Sequence, residues 1–324
     1  ERYEETLRAT LAINPNALQE ARQLDQERKE GKVRGPLHGV PIALKDNIHT
    51  TNMPTTGGAL AFKEYTPPYE ATLVSRLREA GAIILAKTTL TELANWVATG
   101  MPNSYNAIRG YGYNPYDPRP DPREGFDDGR GVLDTGGSSS GIGTAANLWA
   151  ANVGTETSGS IEIPSNNNML VAIKPTVGRV SRHGIIPITA DQDTAGPMAK
   201  YVSDAAALLA AMEGIDANDD ATGICEPPAD GDYSSNLNSE GLNGARIGIP
   251  RAYFFQSVTP PGAETPVGGL SEEEAQRMRD AIGVLIAAGA EIIDPANIPS
   301  VIAKKEDDNQ LLFQNCYDLP QGKG

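Results

Sequence analysis

Short apolar runs that stop abruptly at polar residues alternate with amphipathic helical stretches along much of this chain, and that alternation limits its fold more than any other feature. Val40 to Leu44 is an apolar run bounded by Gly39 and by Lys45-Asp46-Asn47, which predicts a buried strand emptying into a loop, with Lys45 at its exit. Ala71 to Ala80 has helical spacing and ends at Gly81, and Ala82-Ile83-Ile84-Leu85-Ala86 follows at once as a strand. The pattern returns with a strand over Arg246 to Ile249, a helix opened by Ser271 with Glu274 as its capping-box partner, and a strand over Glu291-Ile292-Ile293. Nearer the start, Asn14-Pro15 marks a helix beginning, and Ala17 to Lys29 carries Leu18, Ala21 and Leu24 on one stripe until Gly31 ends it. The order predicts an α/β layered fold with a largely parallel sheet. Tyr111 to Gly131, crowded with Pro, Gly, Asp and Arg, reads as loop.

The 324 residues, 39% of them hydrophobic, suffice for a sizeable core in one large domain or at most two. A net charge of −15 repels phosphate backbones, so nucleic acid is not an expected partner. The longest apolar stretch, Ala205 to Met212, falls far short of the ~20 residues that cross a bilayer, and no membrane span is expected. Cys225 and Cys316 decide neither compartment nor redox role. The chain opens at Glu1 with a helical pattern already running and no signal segment, which reads as a processed or incomplete piece of a soluble protein, cytoplasmic or secreted.

Two Gly-Ser turns flank one helix-like run, Thr144 to Ala151. The first is Gly136-Gly137-Ser138-Ser139-Ser140-Gly141 and the second is Thr157-Ser158-Gly159-Ser160. Flexible linker is one reading. A phosphate cradle is a second, but the Gly-Lys-[Ser/Thr] ending of a P-loop is missing. The third is nucleophilic catalysis. Gly137 to Gly141 satisfies a nucleophile-elbow pattern, yet of His38, His49 and His183 only the last follows the motif as a candidate base.

The stretch from Gly35 to Asn47, the Gly136–Gly141 turn, Gly154 to Pro164, Ile173 to Gly178 and Gln192 to Met198 resembles, in that order, the amidase signature family, and the last of these its peptide amidase-like branch. The resemblance covers nearly the whole chain, and full-length members continue past its end. It implies one amidase domain over residues 1–324, built on a central mixed, mostly parallel sheet covered by helices on both faces. It further implies Ser160 as nucleophile, Ser138 as a bridging serine after a cis bond to Gly137, and Lys45 as base. Thr157, Ser158 and Gly159 would supply oxyanion donors, with Gly136, Gly137, Ser139 and Asp193 supporting the site. The chemistry is consistent. A serine hydroxyl needs a neighbour to take its proton, and a lysine can do so once burial lowers its pKa from ~10.4 toward ~7. Lys87, which also ends a strand, and Lys174, which precedes a proline, adjoin no Gly-Ser turn and read as structural.

Two departures from the family pattern stand out. Ser138 and Ser160 are 22 positions apart, two fewer than usual, which calls for a shorter helix between them and leaves Ser139 as the alternative relay. The residue two beyond the nucleophile, often Arg in members acting on carboxylate-bearing substrates, is Glu162. In an extended segment it would share the face of Ser160 and disfavour anionic substrates. The expected activity is hydrolysis of neutral or cationic carboxamides, such as a peptide C-terminal amide or an aryl or alkyl amide, through an acyl-enzyme, without metal or organic cofactor. The rivals are a glutaminase-type subunit of an amidotransferase complex and a catalytically dead binding or scaffold homologue. A homodimer stays open.

Overall fold

The structure is a computed structural model and describes residues 3–98, 100–136, 141–224 and 231–312. Gly137, Ser138 and Ser139, the bond joining the first two, Cys225 and Cys316 lie outside the described residues. The chain divides into two compact units, residues 1–236 and 237–324.

The first unit runs through helix α1 (Glu4–Leu7), strand β1 (Thr10–Ile13), α2 (Ala17–Lys29), β2 (Pro41–Lys45), α3 (Thr72–Glu79) and β3 (Ile83–Thr88). A small hairpin of β4 (Tyr105–Asn106) and β5 (Gly110–Tyr111) follows, then α4 (Gly141–Ala145), β6 (Ala151–Glu156), α5 (Glu162–Asn167), β7 (Val171–Ala172), β8 (Thr194–Ala199) and α6 (Val202–Met212). Six strands form one mixed sheet in the order β1-β3-β2-β6-β8-β7. Its centre, β3-β2-β6, is parallel; β1 and β8 run against it, and β7 runs against β8. Four of the six strands therefore share a direction.

Alternating side chains sort to opposite faces. Ile42 and Leu44 of β2 join Ala151 and Val153 of β6 in a core closed by Leu73, Val74 and Leu77 of α3 and by Leu208, Leu209 and Met212 of α6. Ala43, between the first two, lies in a smaller cluster with Ala86, Leu7 of α1, Ile142 of α4 and Trp149. Helices thus cover both faces, as expected. Each fully buried Ile, Leu or Val among these contributes about 1.5–3 kcal/mol relative to exposure.

The second unit pairs β9 (Arg246–Gly248) with β10 (Glu291–Ile293) in parallel, joined through α7 (Glu272–Ala287). Ser271 caps α7 and exchanges hydrogen bonds with Glu274, the capping box legible in the sequence.

The run from Thr144 to Ala151 departs from expectation. The helix is shorter and earlier, Gly141–Ala145, and Ala151 already belongs to β6. Asn147 turns left-handed (φ 57°), the Leu148 N–H bonds to the Gly143 carbonyl at 2.8 Å, and the chain folds back. The Trp149 indole N–H then donates to the Thr144 hydroxyl at 2.9 Å, and a Cβ on Gly143 would lie 2.0 Å from the Trp149 ring. Gly143→Ala is therefore expected to destabilise the fold by about 1–3 kcal/mol through overpacking, read as a lower urea midpoint at unchanged slope.

Candidate active site

Because β2 and β6 are parallel neighbours, with Ile42, Ala43 and Leu44 opposite Ala151, Asn152 and Val153, their carboxyl ends emerge together. Such ends are where open α/β sheets bind ligands. Lys45 is the last residue of β2, and Thr155-Glu156 close β6. Strand β8 arrives from the other direction, its Thr194 opposite Glu156, so Asp193 reaches the same edge. Lys45, Glu156, Thr157, Ser160 and Asp193 all line one cavity of about 230 Å³.

The Lys45 side chain is fully buried, and its amine donates to the Thr155 carbonyl at 2.9 Å. Burial lowers its pKa to about 7, against the pull of the Glu156 and Asp193 carboxylates. No carboxylate among the described residues ion-pairs with it. The amine thus gives up its proton far more readily than an ordinary lysine and, once neutral, can accept one from a hydroxyl brought to it.

Glu156 bends the chain beyond β6. One of its carboxylate oxygens accepts the N–H groups of Ile161 at 2.7 Å and Glu162 at 2.9 Å, capping α5 from behind the turn. Gly159 adopts φ 91°, a conformation that favours glycine, and its carbonyl accepts the Ile163 N–H at 2.8 Å. No described residue accepts from the backbone N–H groups of Thr157, Ser158, Gly159 or Ser160. Asp193 holds the turn to the opposite wall. One oxygen takes the Thr157 hydroxyl, and the other takes the N–H groups of Ile188 at 2.7 Å and Thr189 at 3.0 Å.

Gly136 packs directly on α5. At φ 79° its Cβ would lie 2.6 Å from the Pro164 backbone, and a Cβ on Gly141 would lie 3.2 Å from the Pro164 carbonyl oxygen. The Asn168 amide fastens this contact, donating to the carbonyls of Thr135 and Pro164 at 3.2 and 2.8 Å. The described residues on either side of the first Gly-Ser turn therefore rest against the helix that follows the second.

Glu162 is placed otherwise than an extended segment would have it. It is the first residue of α5, exposed, and not on the cavity wall, because the Glu156 cap starts a helix there and the segment from Ser160 to Glu162 is not extended. Desolvation and the Glu156 carboxylate raise its pKa, and Lys174 opposes them. Lys174 itself is exposed. Lys87 is fully buried but paired with Asp46 at 3.1 Å, and it donates to the Thr55 hydroxyl at 2.8 Å, a framework role. His38 is held by the Leu24 carbonyl at 2.9 Å, whereas His183 does reach the cavity wall, stacked on Tyr69 with ring centres 5.0 Å apart. Sequence reasoning missed Glu156 as the cap and the 182–190 segment as the far wall. An acid shortly before a helix start was the signal for the first; the second carried none. Among the described residues no helix is long and apolar enough to cross a membrane, and no cluster of three or more His, Cys, Asp or Glu side chains could hold a metal.

A family model described as Amidase matches residues 1–303. A protein of Arthroderma benhamiae is 38% identical over 298 residues, 91% of this chain and 46% of that protein. A glutamyl-tRNA(Gln) amidotransferase chain of Chloroflexus aurantiacus is 38% identical over 294 residues, 90% of this chain and 53% of that one. Among solved structures, native peptide amidase from Stenotrophomonas maltophilia matches with TM-score 0.76 at 41% identity, over 90% of this chain and 54% of that one. The chain spans about half the length of the curated relatives it matches.

The low pKa of Lys45 has a stability signature. Its folded value, about 7, lies below the ordinary lysine value of 10.5, so between those pH values the unfolded chain binds more protons and stability rises with pH. Lys45→Met removes the titration. The stability advantage of this variant over wild type is expected to be largest at pH 7 and to shrink by about 1.4 kcal/mol per pH unit toward pH 10. Urea unfolding of both proteins across that range checks it, and a constant difference would mean that the folded amine is not neutralised.

Proposed function

The chain belongs to the amidase family, and on that premise we propose that it hydrolyses carboxamides through an acyl-enzyme on Ser160, with Ser138 and Lys45 as proton relay. The observation that carries this reading is the shared cavity of Lys45 and Ser160, in which the amine is fully buried and brought to about 7. In the proposed reaction Ser160 Oγ attacks the amide carbonyl. Its proton passes to Ser138, which gives its own to the neutral Lys45 amine. The N–H groups of the 157–160 turn receive the oxyanion, one such donor being commonly worth about 3 kcal/mol. Collapse returns a proton along the same path to the departing nitrogen, releasing ammonia from a primary amide, and water then repeats the sequence on the ester to give the carboxylate. The packing of Gly136 and Gly141 on α5 supports the part given to Ser138.

The 41% identity to a peptide amidase favours a free-standing amidase acting on peptide or other small amides. The 38% identity to an amidotransferase chain supports a second reading, a glutaminase-type subunit that passes ammonia onward inside a complex. Co-purification with a partner chain that stimulates glutamine hydrolysis would select the second.

Ammonia release from simple amides tests the reading. Ser160→Ala and Lys45→Met are each expected to lower kcat/KM by about 10³-fold or more. Wild-type kcat/KM should rise with pH through about 7, because the neutral amine is the active form and alkaline pH populates it. A profile flat from about pH 6 to pH 9, with chemistry limiting, counts against a lysine base.

A further inference from the structure

We infer that the cavity beside Lys45 and Ser160 receives an uncharged, apolar acyl group, and that Ile186 and Ile188 form the wall that selects it. This narrows the substrate class and rests on the amide-hydrolysis reading.

Five ionic side chains other than histidine line the cavity among the described residues: Lys45, Glu156, Arg182, Asp193 and Asp219. Each is engaged by hydrogen bonds from inside the protein, and Arg182 and Asp219 also neutralise one another. The Lys45 amine donates to a backbone carbonyl, and Glu156 is occupied by the α5 N–H groups. Asp193 accepts from the Thr157 hydroxyl and from two backbone N–H groups. Arg182 grips both oxygens of Asp219, at 2.9 and 2.7 Å, and its remaining nitrogen donates to the Ala190 carbonyl. The Arg182 backbone N–H adds a further bond to the same carboxylate at 2.8 Å. Bidentate pairing of this kind leaves little field for a ligand to use.

A charged acyl group laid against residues 185–188 would lose its water beside a stretch that has no charged side chain to replace it, the costly case of burial. An apolar group meets Ile185, Ile186, Pro187 and Ile188. That wall is pinned rather than loose. The Ile186 N–H is held by the Asn47 carbonyl at 2.9 Å and the Ile188 N–H by Asp193 at 2.7 Å, so the same carboxylate that fixes the Thr157 turn also fixes the wall opposite it.

Binding to the Ser160→Ala form of this chain separates selectivity from catalysis. Three amides of matched length serve as probes by isothermal titration calorimetry: hexanamide, adipic acid monoamide as the anion, and 6-aminohexanamide as the cation. Hexanamide is expected to bind at least tenfold more tightly than either charged amide. Ile188→Lys in the same background should weaken hexanamide at least tenfold and bring adipic acid monoamide level with it or better. Ile188→Asn, which should only weaken hexanamide, serves if the lysine variant does not fold. Equal or tighter binding of a charged amide, insensitivity to both wall variants, or no binding of any probe overturns the assignment. Ammonia release by wild type, scored separately, reports on amide hydrolysis itself, so a failure there is distinguishable from a failure of selectivity.

Discussion

Leu44 lies opposite Val153 in two parallel strands, and from that register the Lys45 amine comes within 2.9 Å of the Thr155 carbonyl. A slip of one residue would turn every side chain of β2 to the other face and carry Lys45 to the side packed by α3 and α6. The same pairing strips the amine of water, since the strand lies at the centre of a sheet with helices on both faces. Desolvation disfavours the ammonium, and the low pKa is its chemical expression. Fold and proton affinity here have one cause.

Two lysines leave adjacent parallel strands fully buried, and they have been given opposite fates. Lys87 has Asp46 at 3.1 Å and keeps a counter-ion, so removing either partner would strand a charge in the interior. Lys45 has two carboxylates in its electrostatic neighbourhood, but both are engaged elsewhere: Glu156 with the first N–H groups of α5, and Asp193 with Thr157 and the wall backbone. They temper the loss of charge without cancelling it. The difference between a framework lysine and an available one is therefore set by where the nearest carboxylate spends its lone pairs.

Periodicity and punctuation in the sequence located β2 and β3 of the six-stranded sheet, helices α2, α3 and α7, and the strands β9 and β10, but not β1, β6, β7 or β8. Helix α2 and strand β10 fall where the patterns put them, β2 is displaced by one residue so as to include Lys45, and the Ser271 box caps α7 as its residues imply. The failures share a physical origin in contacts between distant or folded-back segments. The alanine-rich run after Gly141 favours helix locally, yet a left-handed Asn147 and a Trp149 ring seated on Gly143 end it early. The start of α5 with Pro164 in its first turn is compatible with helix, but what commits it is a carboxylate six residues before Glu162. The motif residues Lys45, Thr157, Ser160 and Asp193 could be named in advance because the stretches that carry them resemble those of the amidase signature family. The isoleucine wall could not, since nothing along the chain says that residues 185–188 will face Lys45 across a cavity.

The fold-back at Trp149 separates distance along the chain from distance in space. Upstream, Gly141 is seated against Pro164; downstream, the Ala150 N–H bonds to the Pro41 carbonyl at 3.0 Å and fixes the entry to β6. Between these two anchors Trp149 is itself a fastening, buried on Gly143 and bonded to Thr144, so that only the exposed bend at Asn147 is left without a side-chain fastening of its own. A change in the interval between the two Gly-Ser turns is therefore held at three points and has that one bend in which to be absorbed.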